Sequence, residues 1–244
     1  AMLDFAGYVP VNGSSRQGIL CVNSEFLPGG VMVLDIVYDS ASSRWNVTGG
    51  ANVSFSGVGG GTVTNCGGNI TPWGTMVTCE ENDLALDLNF DGYQDYGWNI
   101  EIDPVTKTVK DVDGDNNPDK LWAMGRMKHE NVAFLSDSVT VYQGEDNSSS
   151  GILFKFIATQ KANLSNGTLF ALSVDGNTGT WISIPNTSKA ERNNAISNAD
   201  FSGATLFNRI EDVEVGPDGK IYFVSTSQGR VFRFKDDGAT VTEF

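Results

Sequence analysis

Short runs in which apolar and polar residues alternate fill most of the chain and predict β-strands. Residues 18–23 read GILCVN, residues 30–37 read GVMVLDIV and residues 75–79 read TMVTC, all with the β-branched composition of strands. Glycine, asparagine and aspartate cluster between the runs, where turns are expected. One polar segment, residues 189–200 (KAERNNAISNAD), has the composition of a short helix. The pattern therefore predicts an all-β fold.

The number and spacing of these runs favour a β-propeller. About sixteen runs, at four strands to a blade, make roughly four blades. Three carboxylates and one thiol, on Glu25, Glu130, Glu211 and Cys79, lie about 50 to 80 residues apart, as expected if each blade directs one side chain of its inner strand to the central axis. A chain of 244 residues fits one domain over residues 1–244, with acidic loop insertions near 87–95 and 111–119.

The charge of the chain limits its partners. The formal net charge is −14 and the sequence pI is about 4.3. Such a protein repels a nucleic-acid backbone, and it also repels a small phosphate ester unless bound cations reverse the local field. No apolar run is long enough to span a membrane, and no signal peptide is visible. The chain opens AMLDF, so we expect a processed form or a fragment.

The stretch from 62 to 82, TVTNCGGNITPWGTMVTCEEN, carries the densest candidate chemistry. Cys66 and Cys79 bracket a strand–turn–strand pattern, and Glu80 and Glu81 follow directly. A thiolate beside carboxylates can hold a transition metal and calcium side by side. The alternative is a buried apolar cysteine followed by a solvated glutamate pair. The odd cysteine count leaves one thiol unpaired; a Cys21–Cys66 disulfide with free Cys79 is one open arrangement.

Two acidic loops have the spacing of oxygen-ligand calcium sites. Alternate carboxylates and amides on a tight turn can point at one cation, and the alternative is an acidic surface turn. The candidate ligands are Asp87, Asn89, Asp91 and Asp95 in the first loop, and Asp111, Asp113, Asp115 and Asp119 in the second.

Several segments together resemble the PhoX-type alkaline phosphatases, which are secreted, calcium- and iron-dependent enzymes built on a propeller of about six blades. The similar segments are TPWGT and TCEE within 71–81, YGWNIEIDP at 96–104, GRMKHE at 125–130 and FNRIEDVEV at 207–215. Three positions depart from the family pattern: Ser24 stands for a histidine, Glu145 for an aspartate and Ile210 for a proline. The later Pro-Asp-Asn segment of the family is missing, which suggests a truncated or compact member.

The resemblance also implies roles for individual residues. Cys79 would bridge two Fe³⁺ ions, Glu211 would bind iron, and Arg209 would grip the phosphate, which makes these three the catalytic candidates. Other metal ligands would be Glu25, Glu80, Glu130 and Asp212, with calcium at the first three. His129, the only histidine, is expected to be structural.

The function expected from these features is a periplasmic or extracellular phosphomonoesterase that acts on small phosphate esters as a monomer. Two alternatives remain open. One is a calcium-stabilised propeller that binds or scaffolds without catalysis. The other is a lactonase-like propeller hydrolase that acts on lactones.

Overall fold

The computed structural model describes residues 2–244 and confirms the all-β prediction. Its strands form three antiparallel sheets. The first sheet is a meander of four strands in chain order: β1 (Leu3–Pro10), β2 (Gln17–Ser24), β3 (Gly30–Asp39) and β4 (Arg44–Asn52). The second is a smaller meander: β5 (Asn65–Ile70), β6 (Met76–Glu80), β7 (Asn99–Asp103) and β8 (Thr108–Val109).

The third sheet joins two further meanders into nine strands. The first of these runs through β9 (His129–Phe134), β10 (Thr140–Glu145), β11 (Leu153–Gln160), β12 (Asn163–Asp175) and β13 (Thr178–Ile184). The second runs through β14 (Ile210–Val215), β15 (Ile221–Ser225), β16 (Arg230–Asp236) and β17 (Thr240–Thr242). The last strand also pairs with β13, at Gly179–Val241 and Thr180–Thr240, and this pairing fuses the two meanders.

The predicted helix at 189–200 is two short helices, α1 (Lys189–Asn193) and α2 (Ala195–Phe201). They separate at Asn194, whose backbone leaves the helical region. Ser188 and Glu191 form a capping box at the start of α1. None of the helices within residues 2–244 is long and apolar enough to cross a bilayer.

Apolar layers hold successive meanders face to face. Val33 and Cys21 of the first sheet pack with Ile100 and Ile102 of the second. A second layer joins Val77 of β6 to strands β9–β12, and a third joins the β9–β13 meander to the aromatic residues of β14–β17. As a result the first strands β1, β5, β9 and β14 lie next to one another in that order. The four strand beginnings therefore meet along one line.

Candidate functional site

The four meanders repeat one backbone feature at the end where their first strands begin. The first residue of the first strand pairs with the last residue of the second, and a register shift follows that pair. Such bulges re-aim neighbouring side chains. The residue after the second strand then donates its N–H to the carbonyl of the residue before the first. These bonds join Glu25 to Met2, Glu81 to Thr64, Asp146 to Lys128 and Thr226 to Arg209.

This repeated feature gives each meander two side chains that can face a common line. One comes from the second residue of the first strand, and the other from the residue after the second strand. Seven of the eight positions carry a carboxylate or a thiol, which we call the acidic row: Asp4, Glu25, Cys66, Glu81, Glu130, Asp146 and Glu211. The eighth position is Thr226, whose hydroxyl donates to Glu211 Oε1 at 2.8 Å.

The acidic row contains three groups whose ligand atoms lie within 4.8 Å of one another. Cys66 belongs to two of the groups and Glu130 also belongs to two, so the groups are continuous along the row. They are Asp4–Glu25–Cys66, then Cys66–Glu81–Glu130, then Glu130–Asp146–Glu211. A row of mutually close, partly buried carboxylates is costly unless cations neutralise it, so its donors fit metal ions.

Burial and mutual repulsion raise the pKa values of three members of the row, Cys66, Glu81 and Glu130. Burial raises the pKa of Glu130 to about 9, with further contributions from Glu81 and Glu211. Burial together with Asp146 raises the pKa of Glu81 to about 7. The Cys66 thiol donates to Glu130 Oε1 at 2.9 Å, and burial raises the thiol pKa well above its usual value. Because metal ligands must lose their protons, an incoming cation would displace protons from groups whose pKa values are raised in this way.

Arg209 is the cation of the site. Its Nε and Nη2 donate to the two oxygens of Asp146, each at 2.9 Å, and Nη2 also contacts Glu211. The guanidinium side chain remains 43% exposed, so it can still reach a ligand from solvent. Asn208 and Arg209 both have left-handed backbone, with φ of 57° and 55°. Strained backbone of this kind concentrates at functional sites.

The structure brings together four of the predicted site residues, Glu25, Glu130, Glu211 and Arg209. It places the predicted sulfur ligand differently. Cys79 is fully buried in the apolar layer with Val77 and belongs to none of the close ligand groups. Burial raises the pKa of the Cys79 thiol, and the charge of Glu130 raises it further. The bulge between Asn65 and Gly68 instead turns Cys66 towards Glu130.

Glu80 is a buried structural carboxylate outside the row. Lys120 Nζ donates to its two oxygens at 2.8 and 2.9 Å, and Thr62 Oγ1 donates at 2.9 Å. The backbone N–H groups of Gly97 and Trp98 complete its shell, each at 3.1 Å. Because strand residues alternate in direction, Glu80 points away from the side that Glu81 faces.

Asp212, a predicted ligand, and His129, which was expected to be structural, also lie outside the row. Asp212 is exposed and accepts a hydrogen bond from Asn131, on the face of β14 opposite to Glu211. His129 is buried with Nε2 at 3.0 Å from the Gly125 carbonyl, and burial lowers its pKa to about 3. The cysteines Cys21, Cys66 and Cys79 are all free, so the Cys21–Cys66 disulfide is not formed.

The two acidic loops differ. Carboxylate oxygens of Asp111, Asp113, Asp115 and Asp119 converge within 4.8 Å. The first loop folds on itself instead: Asp87 accepts the N–H groups of Asp91 and Gly92, Asn89 donates to Asp91, and buried Asp95 accepts from Leu88. Of these two described loops, only the second has carboxylates arranged as a ligand group.

Sequence reasoning missed four members of the row: Asp4, Cys66, Glu81 and Asp146. The strand that carries Asp4 lies before the first predicted strand. Glu81 and Asp146 each follow directly on a strand, as Glu25 does, and that shared position was the available signal. The family pattern instead draws Glu145 into the comparison, and this residue is buried and accepts from Ser150 Oγ at 2.8 Å.

Comparison with known proteins gives one family and several distant folds. The family model described as "Alkaline phosphatase PhoX" matches residues 41–242. No curated protein matches the chain. A solved glucose dehydrogenase is similar at TM-score 0.41 and 11% identity, covering 98% of this chain and 81% of its own. The soluble aldose sugar dehydrogenase of Escherichia coli is similar at TM-score 0.40 and 11% identity, with the same coverage. An oxidoreductase of Thermus thermophilus described as a glucose dehydrogenase is similar at TM-score 0.38 and 11% identity, covering 91% of this chain and 77% of its own.

Proposed function

Because the chain belongs to the PhoX alkaline phosphatase family, we propose that it is a metal-dependent phosphomonoesterase whose cations bind along the acidic row. One observation carries the proposal: carboxylates from all four meanders, with one thiol among them, converge in a continuous series of close groups. Each meander then contributes one edge of the site. This arrangement supports a propeller of about four blades with an axial metal centre.

The donor set suggests which cations the row would hold. Carboxylates alone suit calcium. A thiolate beside carboxylates suits two metal ions of different hardness, such as calcium with iron. We propose Cys66 as the sulfur donor on its contact with Glu130, and Cys79 as the alternative named by the family resemblance. Bound cations would offset the negative field of the protein, polarise the phosphoryl group and activate an oxygen nucleophile.

Arg209 would bind the phosphoryl oxygens. Its planar guanidinium donates to both oxygens of Asp146. The same geometry allows it to donate to two phosphate oxygens. If Asp146 held a cation, the guanidinium of Arg209 would be available to bind the substrate. Thr226 holds Glu211 through its hydroxyl and so orients that carboxylate.

Metal content and hydrolysis test the proposal together. We expect calcium and iron in the purified protein by mass spectrometry, and hydrolysis of p-nitrophenyl phosphate that EDTA abolishes and added cations restore. Glu211→Gln should lower both metal content and rate, whereas Asp212→Asn, its neighbour on the opposite face, should change neither. A metal-free Asp212→Asn protein, or full activity in Glu211→Gln, would contradict the assignment of the row.

The same assays distinguish Cys66 from Cys79 as the sulfur donor. Cys66→Ser should remove iron and activity if Cys66 is the sulfur donor, while Cys79→Ser should keep both. The reverse result would restore Cys79 as the donor. Loss in both variants would mean that both thiols are required at the centre.

A calcium-stabilised binding protein without catalysis is the second candidate. The convergence of Asp111, Asp113, Asp115 and Asp119 favours a structural calcium site in this loop. Calcium without iron and without hydrolysis would support this candidate. We further propose that the protein is a monomer exported to the periplasm or outside the cell, which sedimentation and cell fractionation would test.

A further inference from the structure

Asn23 donates its side-chain amide across the interface between the first two sheets. The residue is fully buried near the end of β2, and its Nδ2 lies 2.7 Å from the carbonyl oxygen of Cys66 and 2.7 Å from that of Gly67. An amide nitrogen has two N–H bonds, one for each of these carbonyls. Oδ1 of Asn23 is also buried and has no hydrogen-bond partner within residues 2–244. Burying that oxygen without a partner is costly, so the amide contributes to the structure through its two N–H groups.

The two carbonyls belong to the bulge that places Cys66. The pairing of β5 with β6 passes over Cys66 and Gly67, which together lie opposite one residue of β6. A bulge interrupts the regular ladder of hydrogen bonds between its strands, and a buried carbonyl then needs a partner from elsewhere. Both bulge residues are buried, and Asn23 provides the partner for both of their carbonyls. The amide therefore stabilises the irregular backbone at this position.

The same bulge is held on its other side by β9. A Cβ added to Gly67 would lie 2.0 Å from the carbonyl oxygen of Glu130, so the two backbones are in close contact. Asn131 Oδ1 accepts the N–H of Gly68 at 3.0 Å. The bulge lies between β2 and β9, and the thiol of Cys66 donates to Glu130 Oε1 at 2.9 Å. The direction of the Cys66 side chain thus depends on a backbone that is fixed from both sides.

We propose that Asn23 is a positioning residue whose amide fixes the bulge and so holds the Cys66 sulfur beside Glu130 in the acidic row. The inference rests on the proposed function in that Cys66 is taken there as a metal ligand. Asn23 belongs to none of the close ligand groups and acts through the backbone of Cys66. Removing a group that orients a metal ligand typically weakens metal binding by about 10- to 100-fold.

Asn23→Ala removes both amide donors, and Asn69→Ala is the matched control. Asn69 lies in β5 itself, and its Nδ2 donates to the carbonyl of Val132 in β9 at 3.0 Å. It therefore makes a comparable amide–carbonyl bond between two sheets, but not to the carbonyls of the bulge. Both substitutions should lower stability in urea unfolding, because each leaves a carbonyl without its donor.

The infrared S–H stretching band of Cys66 distinguishes positioning from packing. The band is recorded in EDTA and identified by its loss in Cys66→Ser. A thiol that donates a hydrogen bond absorbs at lower frequency than a free thiol. We expect Asn23→Ala to move the Cys66 band to higher frequency and Asn69→Ala to leave it in place. A role in packing alone would give the two variants the same band.

Cadmium titration tests the consequence for metal binding, because a thiolate bound to Cd²⁺ absorbs in the near ultraviolet. Wild type should develop this absorption and Cys66→Ser should lack it. Asn23→Ala should require about 10- to 100-fold more cadmium for half-saturation, and Asn69→Ala should match the wild type. Asn23→Leu removes the same donors while filling the space, so it repeats both measurements if the alanine variant does not fold.

The outcomes separate this inference from the phosphatase proposal. An unchanged Cys66 band in the folded Asn23 variants, or equal shifts in Asn23→Ala and Asn69→Ala, would overturn the inference and leave the phosphatase proposal standing. Cadmium absorption that is absent from wild type or retained in Cys66→Ser would also overturn it. If the band shift and the cadmium loss are both observed but the cation-loaded wild type does not hydrolyse p-nitrophenyl phosphate, the phosphatase proposal is refuted and the positioning role of Asn23 stands.

Discussion

Replacing Glu130 by glutamine should stabilise the protein when it contains no metal. Glu130 is nearly buried, lies in two of the close groups of the row and accepts the Cys66 thiol. Glutamine has almost the same shape and can still accept that hydrogen bond. Glutamine cannot ionise, so the variant can carry no negative charge at this buried position.

The magnitude follows from the pKa of Glu130, which rises from an ordinary 4.5 to about 9 on folding. Between these values the unfolded chain has lost a proton that the folded protein keeps, so stability falls as pH rises through this window. At 1.36 kcal/mol for each pKa unit, the loss is about 3 kcal/mol at pH 7 and about 6 kcal/mol above pH 9. Glu130→Gln should therefore raise the free energy of unfolding at pH 7 by about 3 kcal/mol, or roughly 6–12 °C in Tm.

Urea unfolding in EDTA at pH 5, 7 and 9 measures this effect. Wild type and Glu130→Gln should differ little at pH 5 and increasingly at pH 7 and 9. Asp212→Asn, which removes an exposed carboxylate outside the row, is the control and should show no such trend. Added cations should stabilise the wild type and not the variant. A stability difference that is constant with pH would refute the reasoning.

Three further changes test the surrounding framework. Gly67→Ala places a Cβ 2.0 Å from the Glu130 carbonyl oxygen and should cost about 1–3 kcal/mol in urea unfolding, whereas Gly30→Ala, with no atom within 4 Å of its Cβ, should be near neutral. Lys120→Met leaves Glu80 buried without its cation and should cost about 3–5 kcal/mol, part of which the additional change Glu80→Gln should recover. Ser188→Ala removes the capping box of α1 and should cost about 1 kcal/mol in thermal unfolding, with Ser202→Ala as the control.

The local pattern of the sequence predicted the strands well because most strands bury one face or both. The runs at 18–23, 30–37 and 75–79 all lie within or across observed strands. The predicted grouping into separate four-stranded units holds for the first two meanders. It fails for the last two, because the pairing of β17 with β13 connects segments about 60 residues apart, and periodicity carries no information on such contacts.

For the site, the sequence determined which residue types were available and where strands end. The resemblance to the family pointed to Glu25, Glu130, Glu211 and Arg209, and the structure places these residues within or beside the close groups of the row. Only the tertiary structure shows that Cys66 and Glu81, and not Cys79 and Glu80, lie within the close groups. Each choice depends on a bulge that shifts the register by one residue and so reverses the face to which a side chain points. Neighbouring residues of similar chemistry cannot be told apart until that register is fixed by packing between meanders.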